Sequence, residues 1–183
     1  INADKIFIKP SGVDLNSIEE KDISVVSLDG SFVSGLKPSV DTPAHVELYS
    51  AFKDIKCVVH THSKYATVFA QLNKHIQCLG TTHADYFKGS IPAVPIPAWD
   101  DNISYEKITG KAIVSYFKEK DINHNDISAA LVANHGVFAW GNTIEKALEN
   151  AYVLELIAEM AYLTLAIRPR PNELNSKIFN LYI

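Results

Sequence analysis

The stretch VVHTHS at residues 58–63 decides how this chain is interpreted, together with ANHG at residues 133–136. The residues before His60 are β-formers, and side chains on a strand alternate between its two faces. His60 and His62 therefore point the same way, about 7 Å apart along the backbone at the rise of a strand. Two imidazoles on one face can converge on one cation, although histidine pairs also occur as hydrogen-bonded core residues. His135 adds a third imidazole and favours the metal interpretation.

A carboxylate stands at the start of the helix predicted over residues 42–52. Asp41 precedes Thr42-Pro43, where the helix dipole and capping both favour a negative charge. With the three histidines it makes an oxygen-plus-three-nitrogen set that suits zinc and, less selectively, manganese or cobalt. Two alternatives stay open: Asp41 serves only as the N-cap, or His45, one turn along the helix, replaces it as ligand. Three histidines alone would still form a catalytic-type site with an open position.

Two small-residue turns supply groups that can collect phosphate oxygens. KPSG at residues 9–12 and KPSV at residues 37–40 offer hydroxyls, backbone N–H groups and ammonium groups. Each turn alone is a weak signal, because most such turns are merely solvated. The second turn is a stronger signal because it leads directly into Asp41. A phosphate bound there would be close enough to the metal for one small substrate to contact both.

Length and composition limit the class of protein. A chain of 183 residues is expected to form one domain, and 47% hydrophobic with 21% charged residues is typical of a globular protein. The net charge of −4 gives no basic surface for nucleic acid. Cys57 and Cys78 are predicted to be buried free thiols, which indicates a reducing, cytoplasmic location. The longest apolar segment carries Glu155 and Glu159, which argues against a transmembrane helix, and the start does not resemble a signal peptide.

Strand and helix signals alternate along the chain. Asp29-Gly30, between two apolar runs, is the strongest hairpin signal. Strands mostly joined by hairpins, with helices enough for both faces, predict an α/β fold: a three-layer α/β/α sandwich with a central, predominantly antiparallel sheet. Residues 81–87, TTHADYF, are predicted to form a loop in which Asp85 could move protons if it folded over a metal. Strands are predicted at residues 6–9, 23–28, 31–34, around His60, 129–133 and 137–140, and helices at 42–52, 65–72, 105–119 and 142–167.

Five motifs in colinear order resemble the L-ribulose-5-phosphate 4-epimerase branch of the class II aldolase and epimerase superfamily. The motifs are IKPSGVDL at residues 8–15, KPSVDTPAHVELYSAF at 37–52, VVHTHSKYAT at 58–67, GTTHADYF at 80–87 and NHGVFAWG at 134–141. The resemblance extends over nearly the whole chain. It implies one class II aldolase-type domain over residues 1–183, with the family's extreme N- and C-terminal segments expected outside it.

The resemblance also implies which residues do the work. One divalent metal ion per chain, zinc first, with manganese or cobalt as alternatives, is expected on Asp41, His60, His62 and His135. Phosphate contacts are expected from Lys9, Ser11, Gly12, Ser39 and Val40. Val40 stands where the family commonly has a second serine, so it offers only its backbone N–H. Asp85 is expected to reach into the active site from an adjacent subunit of a ring-shaped homotetramer and to transfer protons there. Glu106 matches a further acidic position of the family. The family's second acid/base, a C-terminal tyrosine, has no counterpart that we assign in this sequence.

The implied reaction interconverts L-ribulose 5-phosphate and D-xylulose 5-phosphate by retro-aldol cleavage and re-addition at C3–C4. The closest alternative is a class II aldolase of the fuculose-phosphate type, which usually carries glutamate at the position of Asp41 and lacks the TTHADYF motif. A sugar-phosphate dehydratase is a more distant alternative. A non-catalytic module like the adducin head would keep the fold but lose the metal ligands. Asp41, Asp85 and the three histidines favour the epimerase.

Overall fold

The computed structural model describes residues 4–98 and 102–179. The chain divides into two compact units, each with its own sheet. Unit 1 comprises Ile1–Lys53 and Pro97–Val114, and unit 2 comprises Asp54–Ile96 and Ser115–Ile183. The α/β class predicted from the sequence is confirmed, whereas the single domain over residues 1–183 stays a prediction.

Unit 1 contains a three-stranded antiparallel sheet in the order β1-β2-β3. Its strands are β1 (Lys5–Ile8), β2 (Ser24–Ser27) and β3 (Phe32–Ser34). The predicted hairpin at Asp29-Gly30 is confirmed as the connection between β2 and β3. One face of this sheet is apolar because alternate residues point the same way, and Ile6, Ile8 and Val26 form its buried cluster.

Two α-helices of the described residues contribute to unit 1. They are α1 (Thr42–Ala51) and α4 (Tyr105–Glu119), which begins in unit 1 and ends in unit 2. The bounds of α4 are those predicted from its apolar periodicity. Gly110 lets α4 approach α1 closely, since a Cβ at that position would lie 2.8 Å from the carbonyl oxygen of Ala44 and 2.8 Å from Cβ of Glu47.

Unit 2 contains a four-stranded mixed sheet in the order β4-β7-β6-β5. Its strands are β4 (Cys57–Thr61), β5 (Ala93–Val94), β6 (Ala129–Val132) and β7 (Val137–Gly141). The pairs β4–β7 and β6–β7 are antiparallel and β5–β6 is parallel, which confirms the predominantly antiparallel pairing. Every residue of β6 and β7 is buried, so these strands form the centre of the unit's core.

Four α-helices lie entirely in unit 2 among the described residues: α2 (Lys64–Gln71), α3 (Thr81–Ala84), α5 (Ile144–Ile167) and α6 (Ser176–Phe179). Thr143 caps α5 by accepting a hydrogen bond from the backbone N–H of Lys146 at 3.1 Å. By length and composition alone, α5 could cross a membrane, with 33% of its most apolar window buried. It packs on β7, however, and buries Leu154 and Ile157, which is the arrangement of a core helix.

Glu155 connects α5 to the first turn of α2. Its Oε1 accepts a hydrogen bond from the backbone N–H of Tyr65 at 2.8 Å, and its Oε2 accepts one from Ala66 at 3.0 Å. The first N–H groups of a helix have no partner within the helix, and negative charge is favoured at this end. Because α2 begins shortly after His62, this contact holds the segment that leaves the histidine strand.

Replacing this carboxylate by an amide, Glu155→Gln, is expected to lower the free energy of unfolding by about 2 kcal/mol. Hydrogen bonds to a charged group contribute about 1.5–3 kcal/mol. The glutamine side chain has only one oxygen that can accept, so one N–H group of α2 would face the NH2 group of the amide and lose its acceptor. Urea unfolding followed by circular dichroism measures the change. Glu149→Gln is the matched control on the same helix, because Glu149 forms an exposed ion pair with Lys146 and should leave the midpoint nearly unchanged. Equal midpoints for the two variants would contradict this role of Glu155.

Candidate metal centre

Three imidazoles converge in unit 2. One possible ligand atom from each of His60, His62 and His135 lies within 4.8 Å of those of the other two. The ring centroids are 5.1 Å apart for His60 and His62, and 4.9 Å apart for each pair that includes His135. His62 is exposed and the other two are half-buried, so the cluster opens to solvent on one side.

The pairing of β4 with β7 holds His60 in place. His60 lies opposite Phe138 in the antiparallel register, and the two rings stack with centroids 4.2 Å apart and planes 18° apart. Nδ1 of His60 lies 2.8 Å from the carbonyl oxygen of Val137. A carbonyl can only accept, so we assign the proton to Nδ1, which leaves Nε2 with its lone pair for a cation.

The hairpin between β6 and β7 carries His135. The backbone N–H of His135 donates to the carbonyl of Val132 at 3.0 Å, and the N–H of Val132 donates to the carbonyl of Gly136 at 2.8 Å. Asn134 has a φ of 58°, a left-handed conformation that asparagine tolerates better than most residues. Its N–H donates to the carbonyl of Ala70 at 2.9 Å, which ties the tip of the hairpin to the end of α2.

This donor set suits a divalent ion of the zinc type. Imidazole nitrogen is a common ligand for zinc, and three protein ligands leave one position open for substrate or water. The donors come from the edge strand β4, from His62 directly after it, and from a hairpin that backbone hydrogen bonds hold, so they need little rearrangement to meet one ion. The chemistry that this arrangement allows is Lewis-acid polarisation of a bound oxygen.

Asp41 lies in unit 1 at the N-cap of α1. Its side chain makes no capping hydrogen bond to the helix, contrary to the capping alternative, and its Oδ2 accepts one from Oγ of Ser39 at 3.0 Å instead. The reason is local: Asp41 itself has helical φ and ψ, whereas a capping residue is normally extended. His45 is buried on the same helix. The place of Asp41 in the ligand set, and His45 as its alternative, stay predictions.

The two predicted phosphate turns lie side by side in unit 1. The N–H of Ser11 donates to the carbonyl of Lys37 at 2.8 Å, and the N–H of Ser39 donates to the carbonyl of Lys9 at 3.1 Å. These bonds occupy two of the N–H groups that the sequence offered for phosphate. Among the backbone bonds of the described residues, none uses the N–H groups of Gly12 or Val40, so both amides are open to an anion.

Asp85 ends a short helix that the sequence did not predict. Residues 81–87 were expected to form a loop, but Thr81–Ala84 form α3 and the N–H of Asp85 donates to the carbonyl of Thr81 at 2.8 Å. The turn forms because His83 and Ala84 pack inward while Asp85 stays exposed. Burial lowers the pKa of His83 to about 4, so the ring is neutral at pH 7 and its Nε2 donates to the carbonyl of Gly89 at 2.8 Å.

The structure therefore brings together three of the predicted site residues, the histidines of unit 2. Asp85 also belongs to unit 2, and Glu106 lies half-buried in the first turn of α4 in unit 1. Val137 and Phe138, which hold His60, were not among the predicted site residues. Pairing the two strands in register would have found Phe138, because it lies directly opposite His60.

Fold and site together define an α/β protein with an open, solvent-facing histidine cluster that suits a divalent metal ion. The comparisons with known proteins agree with this class: the model of the class II aldolase and adducin N-terminal domain matches residues 1–162, and the chain belongs to that family. It is 44% identical over 178 residues to a protein of Mycoplasma pneumoniae named "Probable L-ribulose-5-phosphate 4-epimerase UlaF", covering 95% of this chain and 74% of the relative.

Solved structures agree on the fold. An L-fuculose 1-phosphate aldolase superposes with a TM-score of 0.80 at 24% identity, over 98% of this chain and 78% of the other. YgbL from Escherichia coli superposes with a TM-score of 0.77 at 25% identity, over 100% of this chain and 83% of the other. The chain is an enzyme of the class II aldolase type.

Proposed function

We propose that this enzyme interconverts L-ribulose 5-phosphate and D-xylulose 5-phosphate by breaking and re-forming the C3–C4 bond. The observation that carries the proposal is the convergence of three imidazoles in a chain that is 44% identical to a relative with this name. The alternative of a non-catalytic, adducin-head-like module is disfavoured, because that module would have lost these side chains.

The metal proposed is zinc, with manganese or cobalt as alternatives, one ion per chain. His60, His62 and His135 hold it, and Asp41 is the predicted fourth ligand. When bound, the ion supplies Lewis-acid polarisation of the ketose carbonyl next to the bond that breaks. His60 contributes through Nε2, because its Nδ1–H is engaged by the carbonyl of Val137.

The phosphate group is proposed to bind at the paired turns of unit 1. Ser11 and Ser39 supply hydroxyls, Gly12 and Val40 supply N–H groups, and Lys9 supplies positive charge. Holding the phosphorylated fragment after cleavage keeps the aldehyde from leaving, so it can turn and be attacked on its other face. Re-addition on that face inverts C4.

Asp85 is proposed to move the proton of the C4 hydroxyl. Removing that proton starts the cleavage: the C4–O electrons form the aldehyde, and the C3–C4 electrons pass towards the C2 carbonyl. In the reverse step the proton returns. The C4 hydroxyl has two orientations in the two epimers, so a second acid/base on the opposite side is required. Glu106 is proposed to support the site from α4.

A class II aldolase of the fuculose-phosphate type is the second candidate. It would use the same histidines and release the aldehyde, and the solved aldolase with a TM-score of 0.80 shares the fold. Asp41 in place of glutamate, and the TTHADYF motif, favour the epimerase. A sugar-phosphate dehydratase remains the more distant alternative.

The deciding experiment is a product analysis of the purified, zinc-loaded chain with L-ribulose 5-phosphate. We expect D-xylulose 5-phosphate to appear without free glycolaldehyde phosphate, and the reverse reaction to start from D-xylulose 5-phosphate. Chelator-treated enzyme serves as the control and should form neither product. Glycolaldehyde phosphate that accumulates without the second epimer would instead identify an aldolase.

We further propose a homotetramer with active sites between subunits, in the cytoplasm. Apolar side chains exposed along α5 supply surface of the kind that subunit contacts cover: Leu148, Tyr152, Leu156, Met160 and Leu163. Cys57 and Cys78 are free thiols, as a reducing compartment favours. Sedimentation velocity should give a species of four chains, and a monomer at micromolar concentration would contradict the assembly.

A further inference from the structure

The histidine cluster requires an empty space at Gly136. A Cβ built at this position would lie 2.6 Å from Cδ2 of His62, 3.0 Å from Nε2 of the same ring and 2.7 Å from the carbonyl oxygen of Thr61. All three are at or inside the closest approach that carbon atoms make without displacing a neighbour. One of the crowded atoms, Nε2, is also one of the two ring atoms with which His62 could bind a metal.

Glycine is needed at position 136 because a side chain would not fit there, and not because the backbone conformation requires glycine. Gly136 does not have the positive φ that other glycines of the chain adopt, so alanine could adopt its backbone conformation. The neighbouring Asn134 supplies the left-handed residue of the hairpin. Substitution at Gly136 therefore tests a contact with His62 and Thr61 and leaves the turn chemistry unchanged.

His62 needs such a support more than His60 does. His60 is held by the carbonyl of Val137 and by the stacked ring of Phe138. His62 is exposed, and its ring edge lies against the backbone of the β6–β7 hairpin at Gly136. The same hairpin carries His135 one residue earlier. The hairpin thus sets the position of two of the three imidazoles.

We propose that Gly136 is a positioning residue for His62, and that its missing side chain is what allows the β6–β7 hairpin to bring His62 and His135 to one ion. This inference rests on the proposed metal-dependent function and deepens it. Any side chain at this position would push Nε2 of His62 away from the other two donors. The carbonyl of Thr61 prevents the new methyl group from moving aside, because it belongs to the backbone of β4.

The first test measures the affinity of the metal-free protein for Co²⁺, whose visible spectrum reports its coordination, by competition with a chelator. Gly136→Ala is expected to weaken Co²⁺ binding about 10- to 100-fold, the range seen when the support of a ligand is disturbed. Gly80→Ala is the matched control, because a Cβ there would meet no atom within 4 Å, and its affinity should equal that of the unsubstituted protein. Equal affinity in Gly136→Ala and Gly80→Ala overturns the inference.

The second test separates the contact with His62 from the contact with Thr61, and it applies without metal. We expect Gly136→Ala to lower the thermal unfolding midpoint more in the unsubstituted protein than in the His62→Ala background, where two of the three short contacts are gone. If Gly136→Ala does not fold, recovery of folding in the double variant supports the inference. An equal loss in both backgrounds, or a double variant that also fails to fold, overturns it.

The two proposals can fail separately. Absence of Co²⁺ binding by the unsubstituted protein would refute the metal-dependent function. Normal binding by the unsubstituted protein, unchanged in Gly136→Ala, would refute only the positioning role of Gly136.

Discussion

His62→Ala is expected to abolish retention of the metal and to slow the proposed epimerisation about 10³-fold or more. Lewis-acid stabilisation of charge in the transition state contributes several kcal/mol, and each 1.4 kcal/mol corresponds to a factor of ten in rate. His62 is the best member of the triad for this test because it is exposed, so its removal leaves no cavity in the core. Metal content of the purified protein and turnover of L-ribulose 5-phosphate are the two measurements.

The control for this substitution is another histidine of unit 2. His124 bonds Asp54, with Nε2 2.6 Å from Oδ1, and it lies outside the cluster. His124→Asn should therefore retain about one ion per chain and near-normal turnover. If the His62→Ala and His124→Asn proteins retained the same amount of metal, the histidine site would be refuted.

Asp85→Asn is expected to keep the metal and the fold but to lose about 10²- to 10⁴-fold in turnover, the usual contribution of a positioned acid/base. Asparagine has nearly the same shape as aspartate, and the side chain of Asp85 is exposed. Its place at the end of α3 depends on its backbone N–H, which the substitution leaves intact. The effect should appear in kcat with little change in KM.

A matched aspartate in the same unit gives the comparison. Asp126 forms a half-exposed ion pair with Lys88 at 3.0 Å, so Asp126→Asn also neutralises one carboxylate. Turnover of Asp126→Asn should stay within a factor of about two of that of the unsubstituted protein, because such an ion pair contributes little to stability. Loss of metal from the Asp85 variant, or equal turnover in the two variants, would show that Asp85 does not transfer protons.

Local patterns were sufficient to predict the elements that carry the site. The 3.6-residue periodicity predicted the bounds of α4. The alternation of a strand predicted that His60 and His62 face one ion, and their rings do converge, although β4 ends at Thr61. The hairpin between β6 and β7 followed from two short apolar runs around Asn134. Each of these signals lies within a few residues of the feature that it predicts.

Contacts between distant parts of the chain could not be predicted in this way. Glu155 bonds the start of α2 from 90 residues away, and nothing near Glu155 in the sequence indicates that partner. The mutual bonds of the two phosphate turns likewise join residues far apart, and they use N–H groups that each turn seemed to leave exposed when considered alone. The helical turn α3 forms because His83 is buried, which depends on tertiary packing.

Asp41 illustrates how propensity and structure can differ at one residue. An aspartate before Thr-Pro predicts a capping side chain, yet the helical φ and ψ of Asp41 turn its carboxylate to Ser39. A carboxylate that does not cap keeps most of its acceptor capacity for another partner. The absence of a capping hydrogen bond is therefore compatible with the predicted role of Asp41 as a metal ligand.

The wide sequence separation of the histidines has a thermodynamic consequence. An ion held by the end of β4 and by the hairpin would cross-link two segments that only the folded chain brings together, so the folded state alone would bind it well. By mass action, a free metal concentration 100 times the dissociation constant would add about 2.7 kcal/mol to the stability of the fold. Starving a cell of the ion would then deplete the protein as well as its activity, because unloaded chains would unfold and be degraded more readily.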